Sequence, residues 1–490
     1  MKSSRLARDV VRLTKINETF IKVSSEPSVV QELSEHLTFT VPGAKFMPQV
    51  RNKYWDGKIR LLNSMTGLTY TGLVKEIGEF CNSRNYDIEL DPKLVYDKKF
   101  TEINEFVESL KLNPKYKCRE YQIESLRLAV EDERHIFLSP TASGKSLSIY
   151  LITKYFNSRG HKTLVIVPTV SLVLQMKKDF EDYAGKGLDI HCITAGVDKE
   201  SDSPIVISTW QSIYKMPKTW FAQFGTVVGD EVHLFKATSL KSIMEKLENT
   251  RYRFGFTGTL DGSLTNKITL EGLFGPVKQL TTTSELMEQN LVADLKIVGI
   301  ILMYDSDSRK LTSKYTYQQE VDFLVRNEKR NKYIRNLAAN VKGNTLILFQ
   351  FVEKHGKVLY DMLSQMDTKR KVFFVHGGVE GEDREQIRAI VEQESDAIIV
   401  ASYGTFSTGV NIRNLHNVIL GSPSKSRVRV LQSIGRGLRL GEGKDQMTLY
   451  DIADDLKHRS RLNFTLEHFT ERLNIYNSEQ FTYKLVKVEL

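Results

Sequence analysis

Cysteine is scarce in this chain. Cys81, Cys118 and Cys192 are the whole complement of 490 residues. They are scattered and form no C-x-x-C pair, which speaks against a zinc site or an iron–sulfur cluster and fits the reduced thiols of a cytoplasm. Long apolar runs are absent too. Nothing approaches the roughly 18 residues of a membrane span, and no charged-then-apolar leader opens the chain. Neither a membrane partner nor a signal peptide is expected. No segment is of low complexity. The chain is 41% apolar and 26% charged, ordinary for soluble globular protein. Its length suits about three domains, each large enough for a core. A formal charge of +9 leans toward a polyanionic partner.

One glycine is missing from an otherwise familiar loop. Pro140-Thr141-Ala142-Ser143-Gly144-Lys145-Ser146 follows the apolar run His135–Leu138 and precedes a helical pattern. A strand, a small-residue loop and Gly-Lys-Ser opening a helix make a P-loop. Its backbone N–H groups face phosphates, Lys145 reaches the β- and γ-phosphates, and Ser146 can ligate Mg²⁺. The motif asks for Gly at position 139, where this chain has Ser139. A turn that merely contains Gly-Lys-Ser is the plain alternative. Downstream, Phe224–Gly229 ends in Asp230-Glu231-Val232-His233. Carboxylates ending a buried strand beside a P-loop suit Mg²⁺ and an attacking water. Asp230 would hold the ion, directly or through water, and Glu231 would polarise the water.

Asp230-Glu231-Val232-His233 resembles the DExH motif of superfamily 2 helicases, and the rest of that family's series follows in order. Arg119-Glu120-Tyr121-Gln122 resembles the adenine-reading segment, with Gln122 as reader. Val165-Ile166-Val167-Pro168-Thr169 resembles motif Ia, and Ile207–Ser212 the next strand-end motif. Thr257-Gly258-Thr259 resembles motif III and Thr345–Phe349 motif IV. Ser402–Asn411 resembles motif V, although many relatives have Asp where this chain has Asn411. Gln432–Arg439 resembles motif VI.

The resemblance implies an ATP-dependent DNA helicase using ATP and Mg²⁺. It places Gln122, Thr141, Ala142, Ser143, Gly144, Lys145, Ser146 and Gly409 around the nucleotide. Lys145, Asp230, Glu231, Arg436 and Arg439 would be catalytic. The two arginines lie three apart on a helical pattern and would meet the γ-phosphoryl charge through planar guanidinium forks. His233, Thr257, Thr259 and Gln432 would couple the ATP and DNA sites. Pro168, Thr169, Thr209, Thr405 and Thr408 would hold the nucleic-acid backbone.

The periodicity implies an α/β fold, with two tandem parallel-sheet lobes preceded by a small α+β domain, and the resemblance implies that the lobes are RecA-like. The expected boundaries are 1–105 for the front domain, 106–290 and 291–455 for the lobes, and 456–490 for a helical and strand tail. Tyr304–Gln319 reads as a hairpin or surface loop. The front domain reads as β-α-β-β-β-α. Its strands include Phe20–Val23, Phe39–Val41, Lys53–Trp55 and Lys58–Leu62, with Asp56-Gly57 as a hairpin turn and Trp55 in the core. Lys45, Arg51, Lys53, Lys58 and Arg60 interleave with Phe46, Tyr54 and Trp55. Basic side chains for phosphates among aromatics for stacking form a nucleic-acid surface. A hairpin with core aromatics and solvated lysines is the alternative.

This front domain narrows the resemblance to the UvsW-type helicases of tailed bacteriophages. That implies action on branched DNA (forks, Holliday junctions, R-loops with their RNA–DNA hybrids) in recombination, repair and replication, in a host cytoplasm. The motor subunit of a restriction-type complex, an RNA helicase and a non-catalytic nucleic-acid-binding module are the other readings.

Overall fold

Alternation fixes the first sheet. Val11 and Leu13, then Ile21 and Val23, are buried between exposed neighbours along two strands. The structure, a computed structural model, describes residues 9–95, 102–185, 187–235, 238–260, 264–366, 369–379, 381–408, 412, 414–423, 426–438 and 444–490. The chain clusters into two units. One is Met1–Ser139 with Gly144–Leu280, the other Thr281–Leu490 with Pro140–Ser143.

The front domain holds β1 (Val10–Lys15), β2 (Phe20–Ser24), β3 (Thr38–Thr40), β4 (Lys58–Arg60), β5 (Leu68–Tyr70) and β6 (Asp87–Leu90). A four-stranded sheet runs β5-β2-β1-β6, and β3 pairs with β4 as a separate antiparallel ribbon. Helices Pro27–His36 and Val74–Arg84 cover the sheet; the first starts with Pro27, whose fixed φ suits that position. Three strands, β1, β5 and β6, go beyond the sequence expectation. Lys53–Trp55 is not a strand. Lys53 takes a left-handed φ of 59°, which breaks extended backbone, and the ribbon joins Thr40 to Lys58 instead. Trp55 is only half-buried.

The front domain and the first lobe share one core. Leu37, Tyr70 and Leu73 belong to the same apolar cluster as Ile268 and Leu273. Arg253 is fully buried at this seam. It donates to the carbonyls of Thr250 (3.0 Å), Met244 (3.2 Å), Leu247 and Leu273, and to the Thr19 hydroxyl (2.6 Å). Arg134 reaches the Glu18 carboxylate at 3.1 Å, and the Tyr70 hydroxyl donates to Glu245 at 2.6 Å. The backbone of Gly72 lies so close to the Glu271 carbonyl that an added Cβ would sit 2.1 Å from it.

The first lobe adds β7 (Arg134–Leu138), β8 (Thr163–Val167), β9 (Ile190–Ile193), β10 (Ile205–Thr209), β11 (Thr226–Asp230), β12 (Tyr252–Thr257) and β13 (Val277–Gln279). All pair in parallel, in the order β13-β7-β12-β11-β8-β10-β9. Strands β8, β10 and β11 are buried along their whole length, as parallel sheets covered on both faces require.

The second unit repeats the plan with β14 (Asp294–Met303), β15 (Thr345–Phe349), β16 (Val372–Val375), β17 (Ile398–Ser402), β18 (Asn417–Leu420), β19 (Gln446–Asp455) and β20 (Tyr483–Glu489). The parallel order is β16-β17-β15-β18-β19-β14-β20. The C-terminal segment is therefore part of this sheet rather than a tail. Its strand β20 pairs along β14, and its helix Phe464–Ser478 is pinned by a fully buried pair, Arg472 to Asp451 at 2.8 Å. Tyr304–Gln319 is not a hairpin. Asp305 and Thr316 cap helices Ser306–Thr312 and Tyr317–Arg326 through their side chains. Among the described residues no helix is long and apolar enough to cross a membrane.

Candidate ATPase site

Three neighbouring strands of the first lobe end together. Leu138 of β7 is in register with Thr257 of β12, and Phe256 of β12 with Asp230 of β11. Ligands of open parallel sheets bind beyond such carboxyl ends, and here the ends deliver the P-loop, the Asp-Glu pair and Thr257.

The loop after β7 makes the missing glycine intelligible. Gly144 (φ 79°) and Ala142 (φ 72°) take left-handed backbone there, and Ser139 does not. Ser139 instead continues the strand, its N–H donating to the Thr257 carbonyl at 3.0 Å. A side chain costs nothing at that position. At Gly144 it would: an added Cβ would meet the Gln122 amide at 2.7 Å. Gln122 is buried, caps its own helix by accepting from the Arg119 N–H (2.9 Å), and donates to the Gly144 carbonyl at 3.2 Å. The Ser143 hydroxyl donates to Pro140, and Thr141 is half-buried. Helix Lys145–Ser158 starts at the loop's end, so its free N–H groups face whatever the loop holds.

Lys145 is mostly buried. Its ammonium donates to the Ser139 carbonyl (3.3 Å) and lies 4.0 Å from the Glu231 carboxylate. Glu231 has a left-handed φ of 52°, unusual for its residue type, and its N–H donates to Asp230 Oδ1 at 3.0 Å. Burial, reinforced by the charge of Glu231, pushes the Asp230 carboxyl up to about 7. His233 Nδ1 sits 2.9 Å from Thr257 Oγ1 and 3.3 Å from Glu231 Oε2. The Thr257 hydroxyl also contacts the Thr259 carbonyl at 3.0 Å. Lys145, Asp230, Glu231, His233, Thr257 and Thr259 are thus brought together.

Tyr183 is a neighbour that the sequence did not single out. Its hydroxyl is 2.7 Å from Ser146 Oγ. It ends helix Val170–Ala184, which opens at Thr169, whose side chain caps the Leu172 N–H. The segment leading to Gln122 docks on the same helix end. Asn113 N–H donates to the Tyr183 carbonyl (2.9 Å), and the Tyr116 and Tyr183 rings meet edge to face at 4.7 Å. A tyrosine at helical spacing among apolar residues reads as core, so no local signal marks it.

Not every expected nucleic-acid contact is presented. Pro168 and Thr169 are half-exposed. Thr209 is buried, with its hydroxyl 2.9 Å from that of Ser212, and Thr405 is buried against Ser402 at 2.8 Å. Both hydroxyls serve the turn at a strand end rather than the surface. Thr408 lies in helix Tyr403–Thr408, and Gln432 and Arg436 in helix Arg427–Gly437, with side chains outside the described residues. Gly409, Asn411 and Arg439 lie outside them altogether. Lys45, Arg51, Lys53 and Lys58 are exposed, whereas Arg60 is paired with Asp56.

Similarity to known proteins covers nearly the whole chain. A family model described as "DNA helicase UvsW, N-terminal" matches residues 11–91. "Type III restriction enzyme, res subunit" matches 115–262, and "Helicase conserved C-terminal domain" matches 328–441. The chain is 36% identical to the ATP-dependent DNA helicase uvsW of Enterobacteria phage T4, over 96% of this chain and 98% of that protein. It is 24% identical to the DNA 3'-5' translocase XPB2 of Sulfurisphaera tokodaii, over 67% and 80% of the two chains. The crystal structure of T4 UvsW matches 98% of this chain and 99% of its own, at 33% identity and a TM-score of 0.50. S. cerevisiae Dbp5 bound to RNA and ADP BeF3 shares the fold at 14% identity, with a TM-score of 0.53 over 80% of this chain and 96% of its own.

Proposed function

This chain belongs to the UvsW family of superfamily 2 helicases, and from that premise we propose that it is an ATP-dependent DNA helicase that remodels branched DNA. The observation carrying this reading is the likeness to T4 UvsW along both chains, front domain included. The restriction-subunit match covers only residues 115–262, so a restriction motor is not favoured. Neither is a decayed module, because Lys145, Asp230 and Glu231 are intact and adjacent. We place its action on forks, four-way junctions and RNA–DNA hybrids in a host cytoplasm.

ATP binding assigns each residue a task. Gln122 reads the base, and the N–H groups of Thr141–Ser146 hold phosphates. Lys145 neutralises the charge that develops on the γ-phosphoryl group. Glu231, between Lys145 and His233, orients the attacking water. The donor set fits Mg²⁺: Ser146 and Asp230 offer hard oxygens, and the remaining positions go to phosphate and water. Among the described residues no cluster of three or more His, Cys, Asp or Glu side chains could hold a metal ion. When bound, Mg²⁺ would neutralise phosphate charge and favour the ionised form of Asp230.

A substrate panel tests the reading. Unwinding of forked, four-way and RNA–DNA substrates should exceed that of blunt duplex, with ATP turnover stimulated by DNA. Equal activity on all, or turnover indifferent to DNA, would overturn it.

Four variants refine it. Arg439→Ala should lower kcat about 10³-fold or more, as loss of an arginine finger does, with a smaller change in ATP affinity. Arg436→Ala should behave alike, and weakened binding at constant kcat would remove that role. Tyr183→Phe keeps the ring packing but frees the Ser146 hydroxyl. It should raise the Mg²⁺ concentration needed for nucleotide binding several-fold while leaving thermal stability unchanged. A wild-type Mg²⁺ titration would show that the hydroxyl pair is incidental. Replacing Lys45, Arg51, Lys53 and Lys58 together by Ala should reduce the salt slope of DNA binding by about one for each phosphate no longer neutralised. An unchanged slope would place the DNA elsewhere.

A further inference from the structure

Two aromatic side chains stand in water on the front domain. Tyr54 is 85% exposed and Phe46 is 73% exposed. Among the described residues the next most exposed aromatic is Tyr317, at 40%. Both stand in the stretch that joins β3 to β4, beside Met47, itself 37% exposed. Water-facing rings of this size are costly unless something covers them.

The segment that carries them is ordered by its own backbone. The Val41 N–H donates to the Gly57 carbonyl (2.8 Å) and the Phe46 N–H to Gly43 (2.9 Å). The Tyr54 N–H donates to Gln49 at 2.9 Å, and the Trp55 indole N–H to the Lys58 carbonyl at 3.0 Å. Gly57 takes the left-handed φ of 78° that closes the turn. The ribbon is anchored as well. Phe39 of β3 and Ile59 of β4 pack on the core shared with the first lobe. The exposed rings therefore sit on a stiff projection fixed to a motor lobe, not on a loose loop.

Charge identifies the occupant. Lys45, Arg51, Lys53 and Lys58 share this stretch of chain with the rings and are exposed, while Asp56, the sole acid from residue 43 to 60, is ion-paired with Arg60. The Lys45 ammonium lies 5.0 Å from the centre of the Phe46 ring. Exposed cations in the same segment as two exposed rings match a nucleic-acid strand, phosphates to the cations and bases to the rings. A paired base inside a duplex is stacked on both faces and offers no surface to a ring. At a branch point, where duplex gives way to single strand, the terminal base faces are open.

We propose that Phe46 and Tyr54 form a stacking pair that caps the open base faces at a DNA branch point. This rests on the helicase reading above and deepens it, assigning branch recognition to two aromatic side chains rather than to the basic residues, which hold phosphates of any duplex. Because the ribbon is built onto the core of the first lobe, the pair moves with that lobe.

The test uses the full chain with Phe46→Ala and Tyr54→Ala combined. The probe is a fork carrying 2-aminopurine at the branch nucleotide, compared with a covalently closed circular duplex carrying it internally, which has no open base faces. The wild-type protein should quench the branch probe and leave the internal one unaffected. The double variant should lose that quenching and bind the fork roughly 10-fold or more weakly, as expected when base stacking is removed. Its affinity for the closed circular duplex and its ATP turnover without DNA should be unchanged. Phe46→Trp with Tyr54→Trp should restore quenching, which a merely structural role would not predict. Fork binding and quenching at wild-type levels in the alanine variant would overturn the proposal, as would an equal loss on the closed circular duplex. Failure of the helicase reading looks different: the wild-type chain itself would show no preference for the fork.

Discussion

Lys145→Ala should reduce DNA-stimulated ATP turnover by about 10³-fold or more. The removal of one fixed transition-state donor already costs roughly 10²–10³-fold in enzymes of other kinds, and here two effects add. The ammonium lies 4.0 Å from Glu231, so its loss removes a fixed positive charge from beside two adjacent carboxylates. It also braces the loop through the Ser139 carbonyl at 3.3 Å. DNA affinity should stay within a few-fold of wild type, because the exposed cations of the front domain are untouched. Steady-state hydrolysis and fork binding measured on one preparation check both halves. Near-normal turnover would remove the P-loop assignment.

A chain beginning near residue 105 should fail to give a stable first lobe. Residues Ile268 and Leu273 share their core with Leu37, Tyr70 and Leu73, so the cut would expose an apolar face. Arg253 offers a finer probe of the same seam. It is fully buried and satisfies four backbone carbonyls and the Thr19 hydroxyl. Arg253→Leu should destabilise the protein by roughly 3–5 kcal/mol, since each stranded buried acceptor costs about 1–3 kcal/mol and the side chain leaves a void. Thr19→Val should cost about 1 kcal/mol. Urea denaturation reads both. An unchanged midpoint for Arg253→Leu, or a soluble, cooperatively folding 105–490 chain, would show that the two parts are independent.

The truncation marks where sequence reading and structure part. Read as sequence, residues 1–105 look like a detachable module in front of a motor. Nothing local warns otherwise, because an arginine on a strand pattern reads as a surface residue. Four acceptors of Arg253 lie within twenty residues of it, but the fifth, Thr19, is more than two hundred positions away.

The helicase motifs were legible for the opposite reason. A P-loop is a local device: strand, turn and helix lie within a dozen residues, and Gly144 is required by a backbone angle. Even the departure at Ser139 resolved locally, since only positions 142 and 144 of that loop turn left-handed. The parallel strands were equally legible, as continuous apolar runs between helical patterns. Strands β9 and β13 lie at the two edges of the first lobe's sheet, where apolar patterns are weaker. The C-terminal segment looked like a tail because β20 alternates exposed and half-buried residues, as an edge strand does.

By itself, the sequence determined the chemistry: the phosphate loop, the paired carboxylates, the parallel lobes and the basic, aromatic-laced front segment. Only the tertiary structure decided who meets whom. It turned Thr209 and Thr405 inward, set Tyr183 against Ser146, left Phe46 and Tyr54 in water, and bound the front domain to the first lobe. The physical reason is range. Backbone angles and periodicity act over a few residues and are written in order along the chain. Burial and pairing depend on which distant segments arrive at the same place, and no short window of sequence carries that.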